Sequence, residues 1–177
     1  MAQDICVPCG EGLVNIRVGA IIRKDGKLLM VHNKNGDYFY SVGGRIQFGE
    51  SAQEAIVREV KEETGLSMEV EGLGFVHENF FLGDSGKKAG LPVYEISLYF
   101  YMKLPEHGTS CCNSFTEDGV EEKLQWVDPE GERTIYPSFF RTDPGEVGDG
   151  VKHFVTDERN DPNIRIRRKP LLAEGKE

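Results

Sequence analysis

The sequence predicts an α/β domain, and three observations support that fold class. Runs of β-branched and aromatic residues separated by glycine-containing turns predict several strands. One segment, between Ser51 and Gly65, carries helix signals at both ends. The chain has 177 residues, of which 38% are hydrophobic and 29% are charged. This is the composition of a globular protein that can bury a substantial core.

The first elements along the chain are predicted strands. Residues 13–22 form an apolar, β-branched run, which is followed by an Asp25-Gly26 turn and a second apolar run at residues 28–32. This order predicts a hairpin. Another turn signal lies at Asn35-Gly36, before the aromatic residues 38–40.

The clearest predicted element is a helix. Ser51 and Glu54 have the spacing of a capping box, in which each side chain accepts a hydrogen bond from the backbone of the other residue. The predicted helix runs to about Thr64, and Gly65 supplies its C-terminal stop.

The second half of the chain predicts further strands and ends in a polar tail. We expect strand-like stretches at 66–81 interrupted by Gly72 and Gly74, a loop at 83–90, strands at 93–104, 124–127 and 151–156, and a short helix at 136–140. Residues 1–156 therefore form one predicted domain and residues 157–177 a tail. The tail contains a basic cluster at Arg165, Arg167, Arg168 and Lys169. A solvated segment, a contact in a homodimer and attraction of substrate are all open for it.

Charge and composition narrow the classes of function. The formal net charge of −9 argues against general affinity for nucleic acid, which requires a basic surface. An anionic substrate would need a local cation, and this favours a metal ion. The N-terminus lacks the basic and apolar regions of a signal peptide, and no apolar run approaches the roughly 20 residues that span a bilayer. We expect a cytoplasmic protein with neither nucleic acid nor membrane as a partner.

Cysteine and histidine give no clear metal-site pattern. The four cysteines occur as Cys6-x-x-Cys9 and as the adjacent pair Cys111-Cys112. The second pair lacks the spacer that lets both sulfurs reach one zinc ion. Reduced thiols are the favoured interpretation, with a zinc site or a disulfide as alternatives. The histidines, which also lack ligand spacing, are His32, His77, His107 and His153.

The predicted helix concentrates acids near its apolar side. Glu59, Glu62 and Glu63 fall within an arc of roughly 100°, and like charges at these spacings repel one another by a few tenths of a kcal/mol per pair. An ordinary solvated helix face would explain this segment alone. The preceding Gly43-Gly44 turn favours another explanation, because backbone can approach a ligand closely at glycine. Carbonyl and carboxylate oxygens together suit Mg²⁺ or Mn²⁺.

The spacing of these residues resembles the Nudix box, G-x5-E-x7-R-E-U-x-E-E-x-G-U, in which U is aliphatic. Gly44, Glu50 and the segment from Arg58 to Leu66 occupy every defined position. The surrounding order of strands and helix is similar to the family domain over roughly residues 13–156. The resemblance implies an α/β/α sandwich around a mixed β-sheet, with the box forming loop, helix and loop.

The resemblance also implies roles for individual residues. Glu59, Glu62 and Glu63 would be ligands of Mg²⁺ or Mn²⁺, and the Gly43 carbonyl would complete part of the shell. Arg58 would orient a carboxylate, with a plain intrahelical ion pair as the alternative.

A hydrolytic mechanism is the activity that the resemblance implies. Family members mostly cleave the diphosphate linkage of a nucleoside diphosphate joined to another group X. The ions would neutralise the anion and lower the pKa of a bound water, and a glutamate would accept its proton. Glu50 would help to organise the loop and the metal-bound waters. The proton acceptor would lie inside the box, at Glu59 or Glu62, or later in the chain at Glu122, whose neighbour Glu121 shares the region.

One departure and several alternatives accompany this prediction. The family often has Leu-Pro where this chain has Ser41-Val42, which predicts a less rigid loop. A Nudix-like sensor or partner module that binds a nucleotide without turnover remains an alternative, although a binder does not need the whole acid cluster. Isomerase chemistry on an allylic diphosphate uses the same fold, but we find no second set of His and Glu ligands around a reactive Cys. The box leaves the group X open.

Overall fold

The computed structural model describes residues 3–33, 37–83, 89–106, 122–143 and 145–160. These ranges contain the following strands and helices in chain order: β1 Cys6–Cys9, β2 Gly12–Lys24, β3 Lys27–Asn33, β4 Tyr38–Ser41, α1 Ala52–Thr64, β5 Glu69–Leu82, β6 Pro92–Lys103, β7 Glu122–Val127, β8 Thr134–Tyr136, α2 Phe139–Thr142 and β9 Lys152–Asp157. Several predicted features lie outside the described residues: the Asn35-Gly36 turn, most of the 83–90 loop, His107, Cys111, Cys112, Glu121 and the basic cluster of the tail.

The strands of the described ranges form one mixed sheet. Its main path is β8-β4-β3-β2-β6-β5-β9, while β1 pairs with β2 and β7 pairs with β3. β2 and β6 run parallel, from the pair Leu13 and Val93 to the pair Ile22 and Met102. The long β6 also pairs antiparallel with β5. The predicted mixed sheet is therefore confirmed, and β2 and β6 form its centre.

Apolar clusters cover both faces of this sheet. Ala20 and Ile22 belong to one cluster, and Ile21 between them belongs to the other. Because successive side chains of a strand point to opposite faces, the two clusters lie on opposite sides of the sheet. The first cluster contains Ala55, Ile56 and Val60 of α1, and the second contains Phe139 and Phe140 of α2. One helix on each face gives the predicted α/β/α layers.

The predicted hairpin of β2 and β3 is present but short. Asp25 and Gly26 have φ angles of 50° and 75°, which match the twist of a two-residue hairpin turn. In the ladder, Lys24 pairs with Lys27 and Arg23 with Leu28. The two strands then diverge, because β3 continues against β4 and β7. This divergence leaves one side of β2 open to another segment.

Other elements differ from the sequence prediction in detail. β5 is one strand, with register shifts near Gly72 and Gly74 where we expected interruptions. β1 and β8 were not predicted, and the predicted helix at 136–140 is β8 followed by α2. The final predicted strand is β9. Its end at Asp157 lies beside the proposed start of the tail, and the division into domain and tail stays a prediction.

Two further observations concern the cysteines and the apolar character of the helices. Both cysteines of the described ranges, Cys6 and Cys9, are free thiols. Within the same ranges, no helix combines the length and apolar character that a bilayer crossing requires.

Candidate functional site

The site is built on α1, whose two ends are fixed as the sequence predicts. Glu54 donates its backbone N–H to Ser51 Oγ over 3.3 Å, and the Glu54 carboxylate accepts the backbone N–H of Ser51 over 2.8 Å. At the other end Gly65 adopts a φ of 73° and donates its N–H to the carbonyl of Lys61. The helix register is therefore set at both ends, and this register determines where its acids lie.

The glycine-rich segment before α1 is bonded along the open side of β2. The bonds run from Ile46 N to Ile16 O over 3.1 Å, from Val18 N to Gly44 O over 2.9 Å and from Ala20 N to Val42 O over 2.8 Å. These contacts restrain the segment although it lacks the proline that the family often has there.

Gly43 and Gly44 are needed for steric reasons. Gly43 has a φ of 143°, and a Cβ at this position would lie 2.2 Å from the carbonyl oxygen of Val18. A Cβ at Gly44 would lie 2.4 Å from the carboxylate of Glu59. The two glycines therefore allow the segment to approach β2 on one side and the helix acid on the other.

Arg58 connects the helix acids to the preceding loop. Its guanidinium donates to both carboxylate oxygens of Glu50, over 2.6 and 3.1 Å, and to the carbonyl of Arg45 over 3.1 Å. It also donates to Glu59 over 2.7 Å and to Glu62 over 3.3 Å. Since these contacts join loop and helix, a plain intrahelical pair does not account for them. The bond from Arg58 also holds the pKa of Glu50 below its ordinary value.

The three helix acids lie in different environments. Glu63 is half-buried and accepts the backbone N–H of Gly43 over 3.2 Å. Burial raises the pKa of Glu63 to about 8. Burial also raises the pKa of Glu59, against the opposing effect of Arg58. The side chain of Glu62, by contrast, is 59% exposed. The cluster therefore contains two acids that resist ionisation and one that faces solvent.

Glu122 at the start of β7 is a fourth acid with a perturbed pKa. Its side chain is buried and accepts a hydrogen bond from the hydroxyl of Tyr40. Burial raises its pKa, and the guanidinium of Arg17 opposes that rise. Arg17 also acts electrostatically on Glu59 and Glu63. One cation of β2 therefore lies close enough to influence acids of both α1 and β7.

The comparison with known proteins identifies the family. The model of the NUDIX domain family matches residues 14–142. The chain belongs to the Nudix family. It is 44% identical over 61 residues to an ADP-ribose pyrophosphatase of Methanocaldococcus jannaschii, over 33% of this chain and 36% of that protein. It is 34% identical over 61 residues to a MutT-like protein of Streptomyces ambofaciens, over 34% of this chain and 40% of that protein.

The curated relatives are matched over only part of their length, whereas a solved structure is matched over most of its chain. The aligned part spans less than half the length of the curated relatives named above. The crystal structure of a MutT protein from Bacillus halodurans matches with a TM-score of 0.60 at 16% identity, over 83% of this chain and 92% of that chain. At this identity the match shows the fold alone, and it confirms the Nudix fold that the sequence predicted.

The Nudix box of this chain offers donor atoms whose chemistry fits a divalent cation. Glu59, Glu62, Glu63 and the Gly43 carbonyl offer hard oxygen donors, and the missing Cβ of Gly44 leaves space beside Glu59. Within the described ranges, however, no group of three or more His, Cys, Asp or Glu side chains is arranged to hold a metal ion. The nearest polar partners of these acids are Arg58 and the Gly43 N–H. Metal binding is therefore a proposal.

The motif did not identify Arg17, Asn15 or Glu95. Arg17 donates to the Gly43 carbonyl over 3.4 Å and lies 4.0 Å from Glu95, which also binds Asn15. A sequence signal for two of them did exist. Asn15 and Arg17 are the polar residues of the apolar run 13–22, and their spacing of two places them on one face of a strand.

Proposed function

We propose that this Nudix protein is a pyrophosphohydrolase that cleaves the diphosphate linkage of a nucleoside diphosphate joined to another group X, with Mg²⁺ or Mn²⁺ as cofactor. The observation that carries the proposal is that Arg58 bonds both Glu59 and Glu62, while Glu63 of the same helix accepts the Gly43 N–H. The curated name of the Methanocaldococcus relative supports the same class of reaction and makes ADP-ribose the first substrate to test.

The residues of the box would have two roles. Some would hold the cation, and Arg58 would orient the carboxylates that hold it. Glu59, Glu62 and Glu63, with the Gly43 carbonyl, would hold the cation. A bound Mg²⁺ or Mn²⁺ would supply charge neutralisation for the diphosphate and activation of water. Arg58 would orient two of these carboxylates, since it donates to both Glu59 and Glu62.

Of the three candidate proton acceptors we favour Glu122 and Glu62, because Arg58 holds Glu59 in a hydrogen bond of 2.7 Å. Glu122 is buried, its pKa is raised, and Tyr40 fixes one of its oxygens. A raised pKa favours the protonated form, which is the form that a proton acceptor reaches during the reaction. Glu62 is exposed and can reach a solvent proton directly. The pH dependence of turnover in Glu122→Gln and Glu62→Gln distinguishes them, because only loss of the acceptor removes the rising acid limb.

The activity is tested with purified protein and a panel of nucleoside diphosphate derivatives that includes ADP-ribose. Phosphate is measured after coupling to a phosphatase, with added Mg²⁺ or Mn²⁺ and with a chelator. We expect turnover that requires the ion. Ligand binding without turnover on every compound would instead favour the sensor or partner module.

Removal of one ligand charge gives the sharpest test of the assigned residues. We expect Glu62→Gln and Glu63→Gln each to lower turnover by more than about tenfold with the fold intact, because each removes a charge from the shell of the ion. The control is Glu69→Gln on β5, whose side chain is 84% exposed and whose turnover should match wild type. Wild-type turnover in both test variants would show that the assigned ligands are wrong.

A further inference from the structure

Arg17 on β2 places a positive charge beside the acid cluster of α1, and some N–H donors of its guanidinium are not used in close hydrogen bonds. Its side chain is 37% exposed, and its contacts to the Gly43 carbonyl at 3.4 Å and to Glu95 at 4.0 Å are both long. A guanidinium has five N–H donors, and strong charge-assisted bonds are about 2.7 to 2.9 Å long. Among the residues that the structure describes, these two contacts therefore leave most of the donor capacity of Arg17 available.

The other arginine of the site differs in this respect. Arg58 makes close contacts to Glu50, Glu59 and the carbonyl of Arg45. Its donors are therefore committed to the protein. Of these two guanidinium groups, Arg17 is the one that can receive an anionic ligand.

A buried polar group holds the partner of Arg17 in place. Glu95 accepts a hydrogen bond from Asn15 Nδ2 over 2.7 Å and from Ser97 Oγ over 3.2 Å. Asn15 and Ser97 are only 1% and 3% exposed. In the parallel ladder Asn15 pairs with Glu95 and Arg17 with Ser97, so the four side chains share one face of the sheet. Glu95 is thus fixed next to the guanidinium that it contacts.

The burial of Asn15 costs free energy of folding, and the fold does not require a polar side chain at this position. Asn15 Oδ1 is buried and has no hydrogen-bond partner in the described part of the chain, and an unpaired buried acceptor costs about 1 to 3 kcal/mol. An apolar strand pair would avoid that cost. Buried polar groups that persist at such a cost are typical of functional sites.

We propose that Arg17 binds the diphosphate of the substrate beside Gly43, and that Glu95, held by Asn15 and Ser97, positions Arg17 for this contact. The inference rests on the proposed function for its choice of ligand. The planar guanidinium matches two phosphate oxygens at once. It also offsets the repulsion that the acid cluster would exert on an anion. Arg17 would touch the substrate, whereas Glu95 would act through Arg17.

A rival explanation is that Arg17 only balances the charge of the helix acids. Loss of Arg17 would weaken diphosphate binding under both explanations, because it removes a positive charge near the acids. The two explanations differ in whether positive charge alone is sufficient. If Arg17 binds diphosphate through its planar guanidinium, Arg17→Lys also loses affinity, although it keeps the charge. If Arg17 only balances charge, Arg17→Lys binds diphosphate as wild type does.

The first experiment measures ADP binding in the presence of Mn²⁺, and Mn²⁺ binding alone, by titration calorimetry. We expect Arg17→Gln to weaken ADP binding by about tenfold or more, with Mn²⁺ binding not weakened, and Arg17→Lys to weaken ADP binding as well. The matched control is Arg23→Gln, because Arg23 lies on the same strand and donates to the carbonyl of Gly145. It should bind ADP as wild type does. Unchanged ADP affinity in Arg17→Gln, wild-type ADP affinity in Arg17→Lys, or no ADP binding by wild type overturns the inference.

The second experiment tests the positioning role with a double-mutant cycle. Glu95→Gln keeps an oxygen that can accept from Asn15 but removes the charge that faces Arg17. We expect about threefold weaker ADP binding, and an Arg17→Gln/Glu95→Gln double variant no weaker than Arg17→Gln alone. Additive losses would show that Glu95 acts independently of Arg17.

These measurements separate the inference from the proposed function. ADP binding that depends on Arg17, in a protein that hydrolyses no compound of the panel, would support the inference and contradict the hydrolase. Hydrolysis with the same KM in wild type and Arg17→Gln would support the hydrolase and contradict the inference.

Discussion

The box region and the polar face of β2 and β6 form two halves of the candidate site by different routes. In the box region, Arg58 contacts Glu59, its neighbour in sequence, and Glu62, four residues further on. On the polar face, Asn15 and Glu95 are bonded across 80 positions of sequence. The first half follows from helix spacing, whereas the second exists only after two distant strands pair. A motif can therefore reveal the acids and miss a cation that the fold places beside them.

The largest expected effect comes from changing the glycine on which the close approach of segment and strand depends. Gly43→Ala places a Cβ 2.2 Å from the Val18 carbonyl at a φ of 143°. Backbone must move, so we expect the free energy of unfolding to fall by about 3 kcal/mol. Urea denaturation measures it.

The control for this change is Gly26→Ala in the hairpin turn. Gly26 also has a positive φ, of 75°, but a Cβ there meets nothing within 4 Å. The cost should be only about 1 to 2 kcal/mol. Equal losses in the two variants would show that contact with β2 does not constrain Gly43.

The next effect separates activity from stability within the box. In Gly44→Ala the new Cβ meets the Glu59 carboxylate at 2.4 Å. This side chain can swing aside, so we expect nearly wild-type stability but turnover lowered by about tenfold, because carboxylate placement is what the reaction needs. Gly72→Ala, where a Cβ meets nothing within 4 Å, should leave turnover unchanged. A Gly44→Ala enzyme as active as wild type would contradict the placement of Glu59.

A smaller effect tests how far the box depends on its helix cap. Ser51→Ala removes the hydroxyl that accepts the Glu54 N–H, and we expect a loss of about 1 kcal/mol in the free energy of unfolding. Turnover well below the melting temperature should persist, since the acids lie at the other end of α1. Chemical denaturation and the coupled phosphate assay measure the two quantities. A large loss of turnover without unfolding would mean that the cap positions the acids directly.

The smallest expected effect extends the comparison to the polar face and appears only in acid. His77 pairs with Ser97 across β5 and β6 and bonds Thr156 Oγ1 over 2.9 Å. Burial lowers the pKa of His77 below its ordinary value. As the pH falls below about 6.5, His77 becomes protonated in the unfolded chain but stays neutral in the folded state. The free energy of unfolding therefore decreases until the pH reaches the lowered pKa of His77 in the folded state.

Urea titrations at pH 7.5 and pH 5.5 measure this decrease. His77→Gln should lose part of the pH dependence, whereas His32→Gln should keep it, because His32 lies on β3, which β2 and β6 separate from the strand of His77. The same pH dependence in wild type and His77→Gln would show that His77 does not cause it.

The sequence predicted those elements whose signals are local. The capping box and Gly65 define α1, Asp25-Gly26 defines the hairpin, and a long apolar run defines β6. β1 and β8 were missed because they are only 4 and 3 residues long and largely exposed. A strand this short takes its structure from its partner and not from its own residues.

The same distinction applies to the candidate site. Glu59, Glu62, Glu63 and Gly43 were expected together; the structure bonds Glu63 to the Gly43 N–H and both Glu59 and Glu62 to Arg58. Their roles, like those of Arg58 and Glu122, stay predictions. Glu95 was not singled out, because its neighbours in the sequence reveal nothing about Asn15. Only the parallel register of β2 and β6 brings them into contact.

The bonds between β2 and residues 42–46 have a consequence for how this part of the candidate site behaves in solution. The amide protons of Val18, Ala20 and Ile46 are sequestered in these bonds, so they should exchange with deuterated solvent as slowly as those in the middle of the sheet. A segment held by these bonds does not open locally when a ligand binds. A change in ligand preference would then come from the side chains around residues 42–46, while the backbone of this segment stays unchanged.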